Sequence, residues 1–101
     1  MRIVVFFDLP VTTGAERKAY RDFRKFLIKS GFVMMQESVY SKIVPNPTAA
    51  DAVISNIRKN KPEKGLIQAL RITEKQFSRI DYIVGERTGN VLDNDAKFIV
   101  L

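Results

Sequence analysis

Residues 3–7, with the sequence IVVFF, constrain the fold more than any other part of this 101-residue chain. Five consecutive β-branched and aromatic residues, closed by Asp8-Leu9-Pro10, predict a buried β-strand. Alternate side chains of a strand point to opposite faces of its sheet, and here both faces are apolar. The sheet that contains this strand must therefore be covered on both sides.

Two amphipathic helices are predicted to cover one of these faces. Thr13 and Glu16 match a capping box at the start of the first helix, and Gly31 provides its C-terminal stop. The second helix is predicted to begin at a cap on Thr48 and to stop before Lys61-Pro62. Both helices carry an apolar arc, so both can pack on the same sheet.

Extended segments at residues 32–44, 65–72 and 79–84 predict three further strands, and residues 73–76 predict a short helical turn. The pair Gln36-Glu37 interrupts the first of these segments and is interpreted as a bulge. The element order is then βαβαββ. Packing both helices on one face of a four-stranded core sheet makes the fold an α/β plait of the α+β class.

The whole chain, residues 1–101, is expected to form one domain, because about 100 residues leave no room for two. Its core is assigned to residues 1–84, followed by a polar loop at 85–97 and a short apolar strand at 98–101. Nothing else in so short a chain covers the second sheet face, so a homodimer is expected. The last strand either pairs with the partner's sheet or completes its own.

The chain contains no cysteine and no histidine. Zinc sites of thiolate or imidazole ligands, cysteine nucleophiles and histidine bases are therefore excluded. Hydrolytic chemistry would have to use carboxylates, hydroxyls, Lys or Arg, together with a hard metal ion. No apolar run has the length of a signal sequence or membrane span, and no disulfide framework exists, so a cytoplasmic location without membrane contact is expected.

The net charge of +6 indicates a polyanionic partner, most commonly nucleic acid. Six cations on the outer arc of the first helix are predicted to contact phosphates: Arg17, Lys18, Arg21, Arg24, Lys25 and Lys29. The alternative is a merely solvated helix face, although Asp22 is the only acid in this stretch. Ser38 and Tyr40, assigned to the exposed side of the second strand, are further candidate phosphate contacts.

Asp8 is the candidate catalytic and metal-binding residue. It follows the first strand with the parity of Val4 and Phe6, the face assigned to the dimer. One carboxylate binds Mg²⁺ weakly, but a two-fold axis would bring two copies of Asp8 together, and a divalent cation would relieve their repulsion. Such an ion polarises phosphates and acidifies water. The alternative is that Asp8 only forms a turn.

Three stretches carry a family resemblance: RIVVFFDLP, ERKAYRDFRKFLIKSGFVMMQESVYSKI and LRITEKQFSRIDYIVGE. An apolar strand ending in Asp8, a basic first helix, a turn at Gly31 and the strand motif QESVY occur in this order. In these features the chain resembles the small CRISPR-associated adaptation proteins, the family of CRISPR-associated endoribonucleases. The resemblance covers nearly the whole chain.

The resemblance implies a ferredoxin-like fold and a symmetric homodimer whose C-terminal strands cross to the partner. It implies a role in spacer acquisition, in which the protein bridges two dimers of the CRISPR integrase on prespacer DNA, as a heterohexamer. It also implies a Mg²⁺-dependent endonuclease acting on RNA or double-stranded DNA, with Asp8 as the metal-binding acid. The family's usual Tyr-Asp pair reads Phe7-Asp8 here, so one hydroxyl is missing.

Two other functions remain open at this point. One is a stand-alone, toxin-like endoribonuclease of similar fold, and the other is a nonenzymatic nucleic-acid-binding module. Toxicity that depends on Asp8 would favour the first, whereas binding that survives chelation without any cleavage would favour the second.

Overall fold

The structure is a computed structural model of the chain, and it describes residues 1–86. The elements are β1 (Arg2–Asp8), α1 (Gly14–Lys29), β2 (Val33–Gln36), β3 (Val39–Ile43), α2 (Pro47–Lys59), β4 (Leu66–Ile72) and α3 (Glu74–Phe77). The strands form one antiparallel sheet in the order β2-β3-β1-β4. This is the split βαβ arrangement of the ferredoxin-like fold, so the predicted α/β plait is confirmed.

The predicted order of elements is wrong at residues 32–44, which form a hairpin of two strands rather than one strand. The chain reverses at Ser38, whose φ of 67° is a left-handed conformation suited to a tight turn. The register between β2 and β3 shifts between Met34 and Gln36, as in a bulge. A bulge was therefore expected at the right place, but the reversal directly after it was not.

Residues 79–84, predicted as the fourth core strand, pair with no strand in the described part of the chain. The hairpin supplies the fourth strand instead, and β4 forms an edge of the sheet. Ile83 and Val84 are therefore 89% and 90% exposed. Of the predicted loop at 85–97 only the first two residues are described, and the predicted strand at 98–101 lies outside the described residues.

The predicted cap of α1 is confirmed, whereas that of α2 is wrong. The Thr13 hydroxyl accepts a hydrogen bond from the Glu16 amide at 3.1 Å, and the Glu16 carboxylate accepts one from the Thr13 amide at 3.0 Å. In α2 the cap is Asn46, whose side chain accepts from the Ala49 amide at 2.8 Å. Thr48 instead lies in the first turn of the helix, because Pro47 already has the backbone angle that a first helical position requires.

The hydrophobic core lies between the sheet and the two long helices. Buried side chains from every layer meet there: Ile3, Val5, Phe7, Phe23, Leu27, Tyr40, Ala50 and Ile57. Burying side chains of this kind stabilises the fold by roughly 1.5–3 kcal/mol each. The core thus uses one face of β1, and α1 and α2 both lie on that side.

The opposite side of the sheet is called here the open face. Residues of β1 contribute Val4, Phe6 and Asp8 to it, and their partners on β3 and β4 lie on the same side, because paired residues of antiparallel strands share a face. Those partners include Leu66 and Leu70, which are 56% and 50% exposed. Neither α1 nor α2 covers this face, but the expectation that nothing else in the chain covers it is wrong at one end, where α3 lies.

One end of the open face is covered by α3, which Arg2 holds in place. The Arg2 guanidinium donates to both carboxylate oxygens of Glu74, at 2.7 and 2.9 Å, and to the Ser41 hydroxyl at 3.1 Å. It also lies 3.8 Å from the centre of the Phe77 ring, a cation–π contact. The chain after β4 is thereby directed onto the open face.

The ion pair between Arg2 and Glu74 is expected to make the stability of the protein depend slightly on pH. The hydrogen bond from Arg2 holds the pKa of Glu74 below its usual value of 4.5. Because this pKa is lowered on folding, the Glu74 carboxylate contributes fully to the free energy of unfolding above pH 4.5. That contribution is lost as the pH falls through the pKa of Glu74 in the folded protein. Because the pair is solvent-screened, Glu74→Gln is expected to lower the free energy of unfolding at pH 7 by only about 0.5 kcal/mol.

Urea unfolding of both proteins at pH 7 and pH 3 would measure this difference. The two free energies of unfolding should converge at the lower pH. A difference that persists at pH 3 would mean that Glu74 acts by packing rather than by its charge.

Candidate functional site

Asp8 is the last residue of β1, and its exposed side chain lies on the open face opposite Leu66 of β4. The predicted parity with Val4 and Phe6 is confirmed. The carboxylate therefore lies at the border between an apolar sheet surface and the end of the sheet. A group in this position is accessible both to a second copy of the chain and to a substrate that approaches from the end of the sheet.

Gly65 fixes the backbone of this strand end from the β4 side. It has a φ of 105°, and a Cβ atom at this position would lie 2.8 Å from the Asp8 carbonyl oxygen and 2.5 Å from Leu9 Cδ2. Both distances are too short for real contacts, so only glycine permits the loop before β4 to lie directly against Asp8. No motif in the sequence marks this contact.

An aromatic cluster supports the same strand end from the helix side. The Phe7 ring lies 5.8 Å from the Tyr20 ring, 5.2 Å from Phe23 and 5.9 Å from Tyr40, measured between ring centres. The Phe7 amide also donates to the Ser38 carbonyl at 3.1 Å. These contacts fix the position of the residue next to Asp8.

A hydroxyl pair beside this cluster was missed by the sequence analysis. The hydroxyls of Tyr20 and Ser38 lie 3.2 Å apart, within hydrogen-bonding distance. Tyr20 lies on the apolar arc of the first helix, and the sequence pattern gives it no role beyond packing. Nothing local could have revealed the pair, because it requires the hairpin turn to return beside β1.

The exposed position predicted for Tyr40 is wrong. Tyr40 lies opposite Val5 on the helix side of the sheet and is 1% exposed, so its side chain belongs to the core rather than to a phosphate-binding surface. Ser38 shares this side of the sheet and is half-buried beside Tyr20. A phosphate contact by Ser38 stays a prediction.

All six cations predicted on α1 are exposed. The Arg17 guanidinium donates to the Val11 and Thr12 carbonyls, at 3.2 and 2.8 Å, and so lies at the loop that follows β1. Lys18 pairs with Asp22 at 2.7 Å and lowers the pKa of that carboxyl. The other four form no ion pair with a described residue: Arg21, Arg24, Lys25 and Lys29.

Asp8 alone does not provide a complete set of metal ligands in the described part of the chain. Among residues 1–86, no three acidic side chains lie close enough to bind one ion together. Mg²⁺ prefers six oxygen ligands and is commonly held by one or two carboxylates, with water and substrate phosphates completing the set. Within residues 1–86, Asp8 offers one such carboxylate and belongs to no cluster of three acidic side chains.

The fold and this strand end define a class: a small basic α/β plait with an exposed acid after its first strand. The family model described as CRISPR associated protein Cas2 matches residues 1–80. The CRISPR-associated endoribonuclease Cas2 of Treponema denticola is 50% identical over 101 residues, which cover 100% of both chains. That of Streptococcus mutans serotype c, strain UA159, is 48% identical over 100% of this chain and 93% of its own. The chain therefore belongs to the Cas2 family.

A solved structure supports the fold independently. The crystal structure of Streptococcus pyogenes Cas2 at pH 6.5 matches with a TM-score of 0.64 and 20% sequence identity, covering 83% of this chain and 100% of that one. This match supports the ferredoxin-like fold, and the family model and the relatives confirm the resemblance inferred from the sequence. Within the described residues, no helix is long and apolar enough to cross a membrane.

Proposed function

We propose that this chain is a metal-dependent endonuclease that also serves as a nucleic-acid-binding scaffold in CRISPR spacer acquisition. One observation carries the proposal: Asp8 is exposed at the border of an apolar sheet face that neither α1 nor α2 covers. The endoribonuclease names of the relatives support the nuclease part. The basic outer arc of α1 supports the scaffold part.

The proposal requires a homodimer formed through the open face. Several apolar side chains are exposed on this one face, among them Leu66 and Leu70, and exposed apolar residues grouped on one face normally mark an interface. The exposed apolar residues Ile83 and Val84 follow α3, which itself lies on this face, so they are available to a partner. A two-fold axis near the end of β1 would bring two copies of Asp8 together.

Two facing carboxylates repel each other, and a divalent cation offsets that repulsion. Mg²⁺ held by the two copies of Asp8 would neutralise charge on a phosphate and lower the pKa of a bound water. The chain itself contributes the carboxylates and the rigid strand end that orients them. Its cations contribute the attraction that brings a polyanion to an acidic site.

For the scaffold role, the exposed cations of α1 would contact the backbone of prespacer DNA, without reading its sequence. In this role the dimer bridges two dimers of the CRISPR integrase in a heterohexamer. The two roles are separable, because the cations of α1 extend along the helix while Asp8 lies at one end of the sheet.

Replacing Asp8 with alanine is expected to reduce Mg²⁺-dependent cleavage at least about 100-fold, because the substitution removes the metal-binding group that each subunit contributes. Labelled single-stranded RNA and double-stranded DNA would be incubated with both proteins, with Mg²⁺ and with chelator. Binding of both nucleic acids should be retained. Glu37→Ala, which removes another exposed acid that forms no ion pair with a described residue, is the matched control and should cleave normally.

The other outcomes identify the alternatives. Binding of nucleic acid by the native protein without cleavage under any condition would leave a nonenzymatic scaffold. Cleavage of cellular RNA and toxicity on expression without an integrase, both lost in Asp8→Ala, would indicate the stand-alone endoribonuclease. Equal cleavage by native protein and Asp8→Ala would overturn the assignment of the site.

A further inference from the structure

We propose that the segment joining α2 to β4 is a second phosphate-binding surface, which guides a nucleic-acid strand past Asp8. This surface, called here the loop patch, consists of Arg58, Lys61 and Lys64. The inference rests on the nuclease function proposed above, because it assigns these residues to the approach of the substrate of the same site.

The topology brings the loop patch to Asp8. Because β3 ends opposite Arg2, α2 begins at the far end of the sheet and runs back toward the end of β1. The following loop ends at Gly65, which lies against the Asp8 carbonyl oxygen, and Leu66 then pairs with Asp8. Lys64 is thus the residue immediately before the direct contact with the site.

The loop patch has a strong positive charge with little internal compensation. Residues 58–64 read RKNKPEK, in which four cations accompany only Glu63. Arg58, Lys61 and Lys64 are exposed, and none of them forms an ion pair with a residue in the described range 1–86. Lys59 is left out of the loop patch because it borders the groove between α1 and α2.

The loop after β1 adds further charge at the same end of the sheet. The Arg17 guanidinium is held there by the Val11 and Thr12 carbonyls. The Glu16 carboxylate accepts hydrogen bonds from the amides of Thr13 and Thr12, and these lower its pKa together with the nearby charge of Lys64. Gly65, which directly follows Lys64, lies against Leu9 at the start of this loop, so the two loops adjoin at the same end of the sheet.

The opposite end of the sheet provides the contrast. There Arg2 is neutralised by Glu74 and its guanidinium stacks on Phe77. An acidic site repels phosphates, so a substrate reaches Asp8 only if nearby cations outweigh that repulsion. Exposed cations without an ion pair also occur elsewhere among the described residues, but Lys64 of the loop patch adjoins the strand end that carries Asp8, which is why we assign the loop patch to a nucleic-acid strand.

Salt dependence of binding tests the assignment. The plot of log K against log salt concentration has a negative slope. Lys64→Gln is expected to reduce the magnitude of that slope by about 0.9 for duplex DNA and by about 0.7 for single-stranded RNA. The double variant Lys61→Gln/Lys64→Gln should reduce it by about twice as much. The same variants should cleave more slowly at subsaturating substrate. Lys75→Gln removes one exposed charge from α3 at the opposite end, and its slope should equal that of the native protein.

A second measurement uses the absence of cysteine from the chain. Lys64→Cys and Lys75→Cys each introduce a single thiol, to which a photoactivated crosslinker can be attached. The crosslinker at position 64 should label the nucleic acid close to the cleaved bond, and the one at position 75 should label it weakly or not at all.

Unchanged salt slopes in both loop variants, together with Asp8-dependent cleavage by the native protein, would overturn the loop patch while leaving the proposed nuclease intact. This result would also be the one expected if the patch contacts an acidic protein instead. Failure of the native protein to bind either nucleic acid would overturn both proposals.

Discussion

Gly65→Ala is expected to lower the free energy of unfolding by about 3 kcal/mol. Two costs combine in this substitution. A φ of 105° is unfavourable for any residue with a Cβ, and the new methyl group would overlap the Asp8 carbonyl oxygen and the Leu9 side chain. The carbonyl oxygen belongs to a paired strand, so it cannot move without disturbing the register between β1 and β4. Urea unfolding would measure the loss.

Gly85→Ala is a matched control. Gly85 has a φ of 86°, but a Cβ atom there would contact nothing within 4 Å. Only the conformational cost of about 1 kcal/mol is therefore expected. Equal losses in the two variants would show that the contact with Asp8 contributes nothing. A larger loss at Gly65, together with slower cleavage per folded molecule, would show that this glycine positions the candidate site.

Leu70→Glu is expected to raise the dissociation constant of the proposed dimer at least about 100-fold, which corresponds to about 3 kcal/mol. Leu70 lies opposite Val4 on the open face and is 50% exposed in one subunit. The substitution should leave the isolated fold intact, because an exposed position accepts a charge. It should prevent two apolar faces from meeting, because the buried carboxylate would have no partner.

Analytical ultracentrifugation and the cleavage assay would be combined for this variant. The rate of cleavage should fall in proportion to the fraction of protein that is dimeric, because two copies of Asp8 meet only across the interface. Met34→Glu is the control: Met34 is similarly exposed but lies opposite Tyr40, on the helix side of the sheet, so its dimer should form normally. A monomeric Leu70→Glu protein that cleaves at the native rate would contradict the two-carboxylate site.

Local signals in the sequence were sufficient to predict the first strand, the start of the first helix and the face on which Asp8 lies. The apolar run at residues 3–7 predicted a strand with two apolar faces, and its parity placed Asp8 on the face away from the helices. The pair Thr13 and Glu16 predicted the start of α1, and the cations of that helix predicted an exposed basic surface. These features depend on residues within a few positions of one another, so periodicity and capping identify them.

Features that depend on strand partners were decided only by the tertiary structure. The sequence of residues 32–44 permits one long strand, and it becomes a hairpin because β3 gains β1 as a neighbour and buries Tyr40 against Val5. The four-stranded sheet is thereby complete without residues 79–84. A period-two pattern of mixed polarity does not specify which face meets the core, so the side of Tyr40 could not be assigned.

The surroundings of Asp8 illustrate the same division. That residue 8 carries a carboxylate, and that the carboxylate lies on the face away from the helices, both follow from the sequence of one strand. Gly65, which lies against Asp8, and Ser38, which contacts the preceding Phe7, come from loops more than 25 residues away along the chain, and only the antiparallel register of β1 with β3 and β4 brings them there. The reason is physical: a side chain's type and parity are local properties, whereas contacts between distant segments follow from which strands exchange hydrogen bonds.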